Sequence, residues 1–123
     1  LGSFGPLFYL VLREVRGAGL VFLCNPNNPT GHVHGKAAVE RFITAVLAAD
    51  PEVVILVDEA YHEFVDDPSY ASALPIVASQ PRVFVSRTFS KIYGLAGLRV
   101  GYAFGQPATL ERMAAHRVSN GVG

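Results

Sequence analysis

Leu20-Val21-Phe22-Leu23-Cys24, running directly into Asn25-Pro26-Asn27-Asn28-Pro29-Thr30-Gly31, is the stretch that decides the fold. Its first half is an unbroken apolar run, the pattern of a strand buried on both faces. Its second half is a turn cluster with two prolines. Downstream, Lys36 to Ala49 predicts a helix, because Val39, Phe42, Ile43, Val46 and Leu47 recur at helical spacing. Asp50-Pro51 ends it. Val53 to Val57 repeats the buried-strand pattern and stops at Asp58. Ser72 to Ala78 predicts a weaker helix, Val83 to Ser86 a third strand, Arg99 to Phe104 a fourth, and Pro107 to Val118 a last helix. Upstream, Leu7 to Arg16 predicts a short helix that Gly17-Ala18-Gly19 breaks.

The order strand, helix, strand, helix, strand is that of an α/β fold with a mostly parallel sheet and helical crossovers. The fourth strand departs from it. Only Arg87 to Leu98 separates it from the third, and a parallel crossover needs a dozen or more residues with a helix inside. The fourth strand is therefore expected to be antiparallel.

Composition narrows the function classes. The chain has 123 residues, the size of one domain, and half of them are hydrophobic. Charged residues make up 16% and mean hydropathy is +0.32. Disordered chains show the opposite balance. Ten basic and ten acidic residues cancel, which argues against a generic nucleic-acid or anionic-membrane surface. Cys24 is the only cysteine, so an internal disulfide is impossible and nothing points to secretion. No apolar run reaches the length of a membrane span, and the apolar patch from Leu7 to Leu12 lacks the flanks of a signal peptide. A cytoplasmic location is expected. Low charge, high apolarity, a start at Leu1 and an end without a closing element suggest a piece of a larger protein.

The chemistry gathers at the strand ends. The first strand leads into Asn25 to Gly31, the second into Asp58-Glu59-Ala60-Tyr61, and the third into Ser86-Arg87-Thr88-Phe89-Ser90-Lys91. In a parallel sheet these ends share one edge, the edge where ligands bind. Asn28, Asp58, Tyr61 and Lys91 are therefore expected to converge. A lysine at such an edge can lose its proton and form a Schiff base. A buried carboxylate needs a cationic or hydrogen-bonding partner. Ser, Thr and Arg in one loop suit a phosphate, with Arg99 offering a bidentate fork. Carbonyl chemistry, a ring cation and a phosphate together describe pyridoxal 5'-phosphate (PLP).

NPNNPTG (Asn25 to Gly31), DEAY (Asp58 to Tyr61) and SRTFSKIYGLAGLRVGY (Ser86 to Tyr102) resemble the class I/II aminotransferases of the PLP-dependent aspartate aminotransferase superfamily, most closely its histidinol-phosphate aminotransferases. The resemblance runs from about Leu20 to the end, so 20–123 reads as a partial PLP-binding large domain and 1–19 as an N-terminal segment poorly matched to the family. The resemblance implies a role for each matching residue. Lys91 would bind the cofactor covalently and carry a proton to and from the substrate α-carbon. Asp58 would keep the pyridine nitrogen protonated. Tyr61 and Asn28 would hydrogen-bond the ring's phenolic oxygen. Thr88, Ser90 and Arg99 would hold the phosphate. It also implies a large α/β domain whose mostly parallel sheet contains one antiparallel strand, and a homodimeric parent. The family's other phosphate-binding helix start, its ring-stacking aromatic residue and its small domain have no counterpart here.

Plainer readings stand beside these. Asp58 could cap a helix, Asn28 could only shape a turn, and Tyr61 could be a core aromatic. Ser90 is the weakest of the phosphate candidates. His32 and His34 lack the further ligands of a zinc site and read as a solvated turn. The glycines around His32 and those from Gly94 to Gly101 match neither a P-loop nor a dinucleotide fingerprint. Cys24 reads as a small buried hydrophobe, and Asp66-Asp67 as a solvated loop. The leading expectation is transfer of an amino group from an amino acid or amino-phosphate to a 2-oxo acid, with histidinol phosphate and 2-oxoglutarate as the leading pair. The alternatives are a PLP-dependent decarboxylase of a phosphorylated amino acid, and an inactive piece that only binds cofactor or partner chains.

Overall fold

The computed structural model describes residues 5–116. Its elements run α1 (Gly5–Glu14), β1 (Leu20–Cys24), α2 (Lys36–Ala49), β2 (Val54–Asp58), α3 (Leu74–Val77), β3 (Val83–Thr88), β4 (Gly101–Phe104) and α4 (Pro107–Ala114), with single 3-10 turns at His62–Phe64 and Ala96–Leu98. The strands form one sheet in the order β1-β2-β3-β4. β1 pairs parallel to β2 and β2 parallel to β3, while β4 is antiparallel to β3. The short connection of residues 89–100 explains the reversal. It holds one 3-10 turn and cannot carry the chain back to the start of the sheet.

The sheet is two-faced. Leu23, Ile55, Val57, Val83 and Val85 face a core built with Val39, Phe42, Ile43 and Val46 of α2 and Val77 of α3. Ile55, Val46, Val53, Val83 and Val85 have no solvent exposure at all. Both crossover helices lie on this one face. The alternate residues point the other way, and there Leu20 and Phe22 are 55% and 57% exposed. The expected burial of β1 on both faces is thus met on one face only among the described residues.

Several boundaries move for physical reasons. β3 runs on to Thr88, because Arg87 and Thr88 pair with Tyr102 and Gly101. β4 begins at Gly101 rather than Arg99, because Arg99 sits in the left-handed region at φ 53° and turns the chain. α3 covers only Leu74–Val77, and just before it Ser72 Oγ accepts from Leu74 N–H at 3.0 Å. The last helix is seen as far as Ala114, and the expected end at Val118 lies outside the described residues. Cys24 is half-buried rather than buried, and its Sγ donates to the Pro26 carbonyl at 3.2 Å.

Candidate active site at the strand ends

Backbone hydrogen bonds lace the three parallel strands together just where they end. Asn25 N–H donates to the Asp58 carbonyl at 3.0 Å, and Glu59 N–H donates to the Ser86 carbonyl at 2.9 Å. The polar segments after β1, β2 and β3 therefore leave the sheet side by side.

The loop after β1 is held by one buried side chain. Asn25 is 2% exposed; its Oδ1 accepts from His34 N–H at 2.8 Å and its Nδ2 donates to the His34 carbonyl at 3.0 Å. Inside that clamp, Asn27 N–H donates to the His32 carbonyl, Gly31 N–H donates to the Asn27 carbonyl, and Asn27 Nδ2 donates to Thr30 Oγ1 at 2.7 Å. Gly31 has φ +67°, a conformation strained for a residue with a side chain. Both Asn25–Pro26 and Asn28–Pro29 bonds are cis. The tight loop presents Asn28 outward.

Asn28 meets Tyr61 there. Its Nδ2 donates to the Tyr61 hydroxyl at 3.4 Å, across 33 residues of sequence. Lys91 arrives from the loop after β3, with Nζ 5.2 Å from the centre of the Tyr61 ring. An ammonium over a phenol face is favourable, so the tyrosine joins the amide to the amine. Pro26, Asn28, Gly31, Val33, Tyr61 and Phe64 line an open cavity of about 440 Å³ beside this trio.

Asp58 ends β2 on the face away from the helices, where Ser86 Oγ donates to its Oδ1 at 3.1 Å. Thr88 Oγ1 accepts from Ser90 N–H at 3.0 Å, which folds the chain back toward Lys91. Gly94, at φ +69°, closes that turn by donating to the Lys91 carbonyl at 3.0 Å. Arg99 is the outlier among the sequence candidates. Its guanidinium is exposed and donates to the Ala96 carbonyl at 3.1 Å, within its own turn. Its left-handed backbone costs of order 1–3 kcal/mol, the kind of strain that gathers at functional sites.

The structure also engages residues that sequence reasoning passed over. Ser86, which opens the polar segment after the third strand but has no assigned role of its own in the sequence, is the hydrogen-bond partner of Asp58. Glu59 is 1% exposed and pairs with Arg87. Arg87 is therefore not part of a phosphate loop. Strand alternation could have separated them, since neighbours along a strand face opposite ways. His32 and His34 meet edge to face with ring centres 4.5 Å apart, and no metal-holding cluster of His, Cys, Asp and Glu occurs among the described residues. Burial, aided by His32 alongside, pushes His34 below the ordinary imidazole pKa.

The domain is thus a mostly parallel α/β sheet with one reversed strand, carrying an amide, a phenol, an amine and a carboxylate at its C-terminal edge. The family profile described as "Aminotransferase class I and II" matches residues 11–120, and the chain belongs to that family. An aromatic amino acid aminotransferase of Nocardia farcinica is 51% identical over 96 residues, covering 74% of this chain and 25% of that protein. Histidinol-phosphate aminotransferase 1 of Cupriavidus pinatubonensis is 53% identical over 88 residues, covering 72% of this chain and 23% of that protein. The crystal structure of histidinol-phosphate aminotransferase from Sinorhizobium meliloti, in complex with pyridoxal-5'-phosphate, superposes with a TM-score of 0.78 at 34% identity, covering 94% of this chain and 30% of that one. The chain thus spans about a quarter of the length of the curated relatives it matches.

Proposed function

We propose that this chain is the central part of the large domain of a PLP-dependent aminotransferase. The full-length protein transfers an amino group from an amino acid or amino-phosphate to a 2-oxo acid. Histidinol phosphate with 2-oxoglutarate is the leading pair. The two kinds of relative named above share an amino donor that carries an aromatic ring, which supports a flat-ringed donor. By the family resemblance, the full-length protein is a cytoplasmic homodimer working on small molecules.

The observation that carries this reading is the meeting of Lys91, Tyr61 and Asn28 from three different strand ends. The donor set fits PLP. It offers an amine for a carbonyl carbon, a carboxylate for a ring nitrogen, a phenol and an amide for a ring oxygen, and hydroxyls for a phosphate. Bound there, PLP supplies an aldehyde and an electron-withdrawing ring. The protein's own residues do the rest. Lys91 holds the cofactor and moves a proton at Nζ. Asp58, steadied by Ser86, holds a proton on the ring nitrogen and so maintains the ring's charge. Tyr61 and Asn28 orient the ring through its oxygen. Thr88, Ser90 and Arg99 would hold the phosphate.

Borohydride reduction of the full-length protein with PLP, followed by peptide mapping, tests the reading. The pyridoxyl group is expected on Lys91. Its appearance on Lys36, or on no lysine, refutes the assignment.

A further inference from the structure

Directly behind the candidate site, on the helix-covered side of the sheet, lies a polar cluster that the proposed chemistry does not use. Glu59 sits at its centre, 1% exposed. Its Oε1 accepts from Ala73 N–H at 2.7 Å. Its Oε2 accepts from Ser72 Oγ at 2.9 Å, from Arg87 Nε at 3.1 Å and from Arg87 Nη2 at 2.9 Å. Arg87 Nη2 also donates to Ser72 Oγ at 2.9 Å, and its guanidinium lies 5.8 Å from the centre of the Phe104 ring. His62 Nδ1 stands 4.0 Å from Glu59 Oε2 and 3.0 Å from the Tyr70 hydroxyl. Burial works against the Arg87 charge, but hydrogen bonding and attraction from Glu59 outweigh it and raise its pKa.

A buried ion pair is poor evidence for stability, because desolvation offsets most of the attraction. Its better-attested use is to specify one arrangement. Here the arrangement is visible. Glu59 follows Asp58 in sequence, and Arg87 lies between Ser86 and Thr88. Side chains alternate along a strand. The ion pair therefore grips the two strand ends from the helix side while Asp58 and Ser86 meet on the opposite side. Glu59 N–H bonded to the Ser86 carbonyl completes the brace through the backbone.

We propose that Glu59 and Arg87 are positioning residues. Their ion pair sets the relative placement of the β2 and β3 ends, and so of Asp58 against the group that Lys91 binds. This inference rests on the PLP reading above. Misplacement of about 1 Å at a reacting centre can cost on the order of 10²-fold, so loosening the brace acts on cofactor binding and on Lys91's environment.

The test uses full-length protein. Wild type is first loaded with PLP and mapped; absence of a pyridoxyl group on Lys91 refutes the parent reading rather than this one. Glu59→Gln, Arg87→Met, Arg87→Lys and the Glu59→Gln/Arg87→Met double variant are then compared. Three quantities are read: PLP affinity, the pH midpoint of the absorbance of PLP bound to Lys91, and the melting temperature. Glu59→Gln and Arg87→Met are each expected to weaken PLP binding by roughly tenfold or more and to displace the midpoint by about half a pH unit. The double variant is expected to be no worse than the poorer single, since either change alone breaks the pair. Arg87→Lys, which keeps the charge, is expected to recover part of the loss. Variants that melt earlier yet keep the wild-type affinity and midpoint overturn the proposal and leave the cluster a structural brace. Where Glu59→Gln or Arg87→Met does not fold, Glu59→Asp, whose shorter side chain keeps the charge but draws the carboxylate away from Arg87, is decided by the same two quantities, and wild-type values in it overturn the proposal equally.

Discussion

Replacing Asn25 by Ala removes the clamp that shapes the loop carrying Asn28. The magnitude follows from the hydrogen bonds. Asn25 makes two to one backbone unit, at 2.8 Å from His34 N–H and 3.0 Å to the His34 carbonyl. A hydrogen bond is worth about 1 kcal/mol net, and a buried group left unpaired costs about 1–3 kcal/mol. Water can reach part of the vacated space, because His34 is only half-buried. The expected loss is about 2–4 kcal/mol of local loop stability. At roughly 1.4 kcal/mol per factor of ten, that is a fall of about 30- to 700-fold in protection of the His34 amide. Native-state hydrogen exchange on the full-length protein reads this directly. Asn27→Ala is the control, because its side-chain bond to Thr30 is exposed and surface changes of this kind are usually worth no more than about 0.5 kcal/mol. If Asn25→Ala leaves His34 amide protection within about threefold of wild type, the clamp does not hold the loop and the hydrogen-bond reasoning fails.

Three other outcomes are expected. Asp58→Asn in the full-length protein retains some PLP but loses transamination by on the order of 10²-fold or more, as preorganised electrostatic groups do; steady-state assays at saturating PLP check it, and wild-type turnover would exclude the role. Because His34 has its pKa lowered in the folded chain, the unfolded chain takes up its proton first as pH drops below 6.5; urea midpoints are therefore expected to fall from pH 7.5 to 5.5, and less so in His34→Gln, whereas equal slopes would remove His34 as the cause. The 123-residue chain made alone, with Leu20 and Phe22 exposed on the sheet face opposite α2, is expected to associate or aggregate and to lack aminotransferase activity; a monodisperse, active monomer by size-exclusion chromatography would show the site to be complete as it stands.

Much of this architecture could be read from the chain alone. The apolar runs Leu20–Cys24 and Val83–Val85 lie in strands, the spacing of Val39, Phe42, Ile43 and Val46 lies in a helix, and β4 is reversed. Periodicity and connection length are local properties, so they survive without knowledge of the rest of the molecule. Local signals also placed Asn28, Tyr61 and Lys91 at one edge, because parallel strands must end together. What each side chain does at that edge was decided only by the tertiary structure. Arg87 had no assigned role in the sequence until the β2–β3 register brought Glu59, 28 residues away, against its guanidinium. Ser86 looked like a strand residue until the same register set it on Asp58. Arg99 looked like the start of a strand until the turn at Ala96–Leu98 left it in a left-handed conformation. A hydrogen bond between residues far apart in sequence depends on which strands pair and in what register, and pairing is settled by burial of the whole sheet rather than by any one stretch of chain.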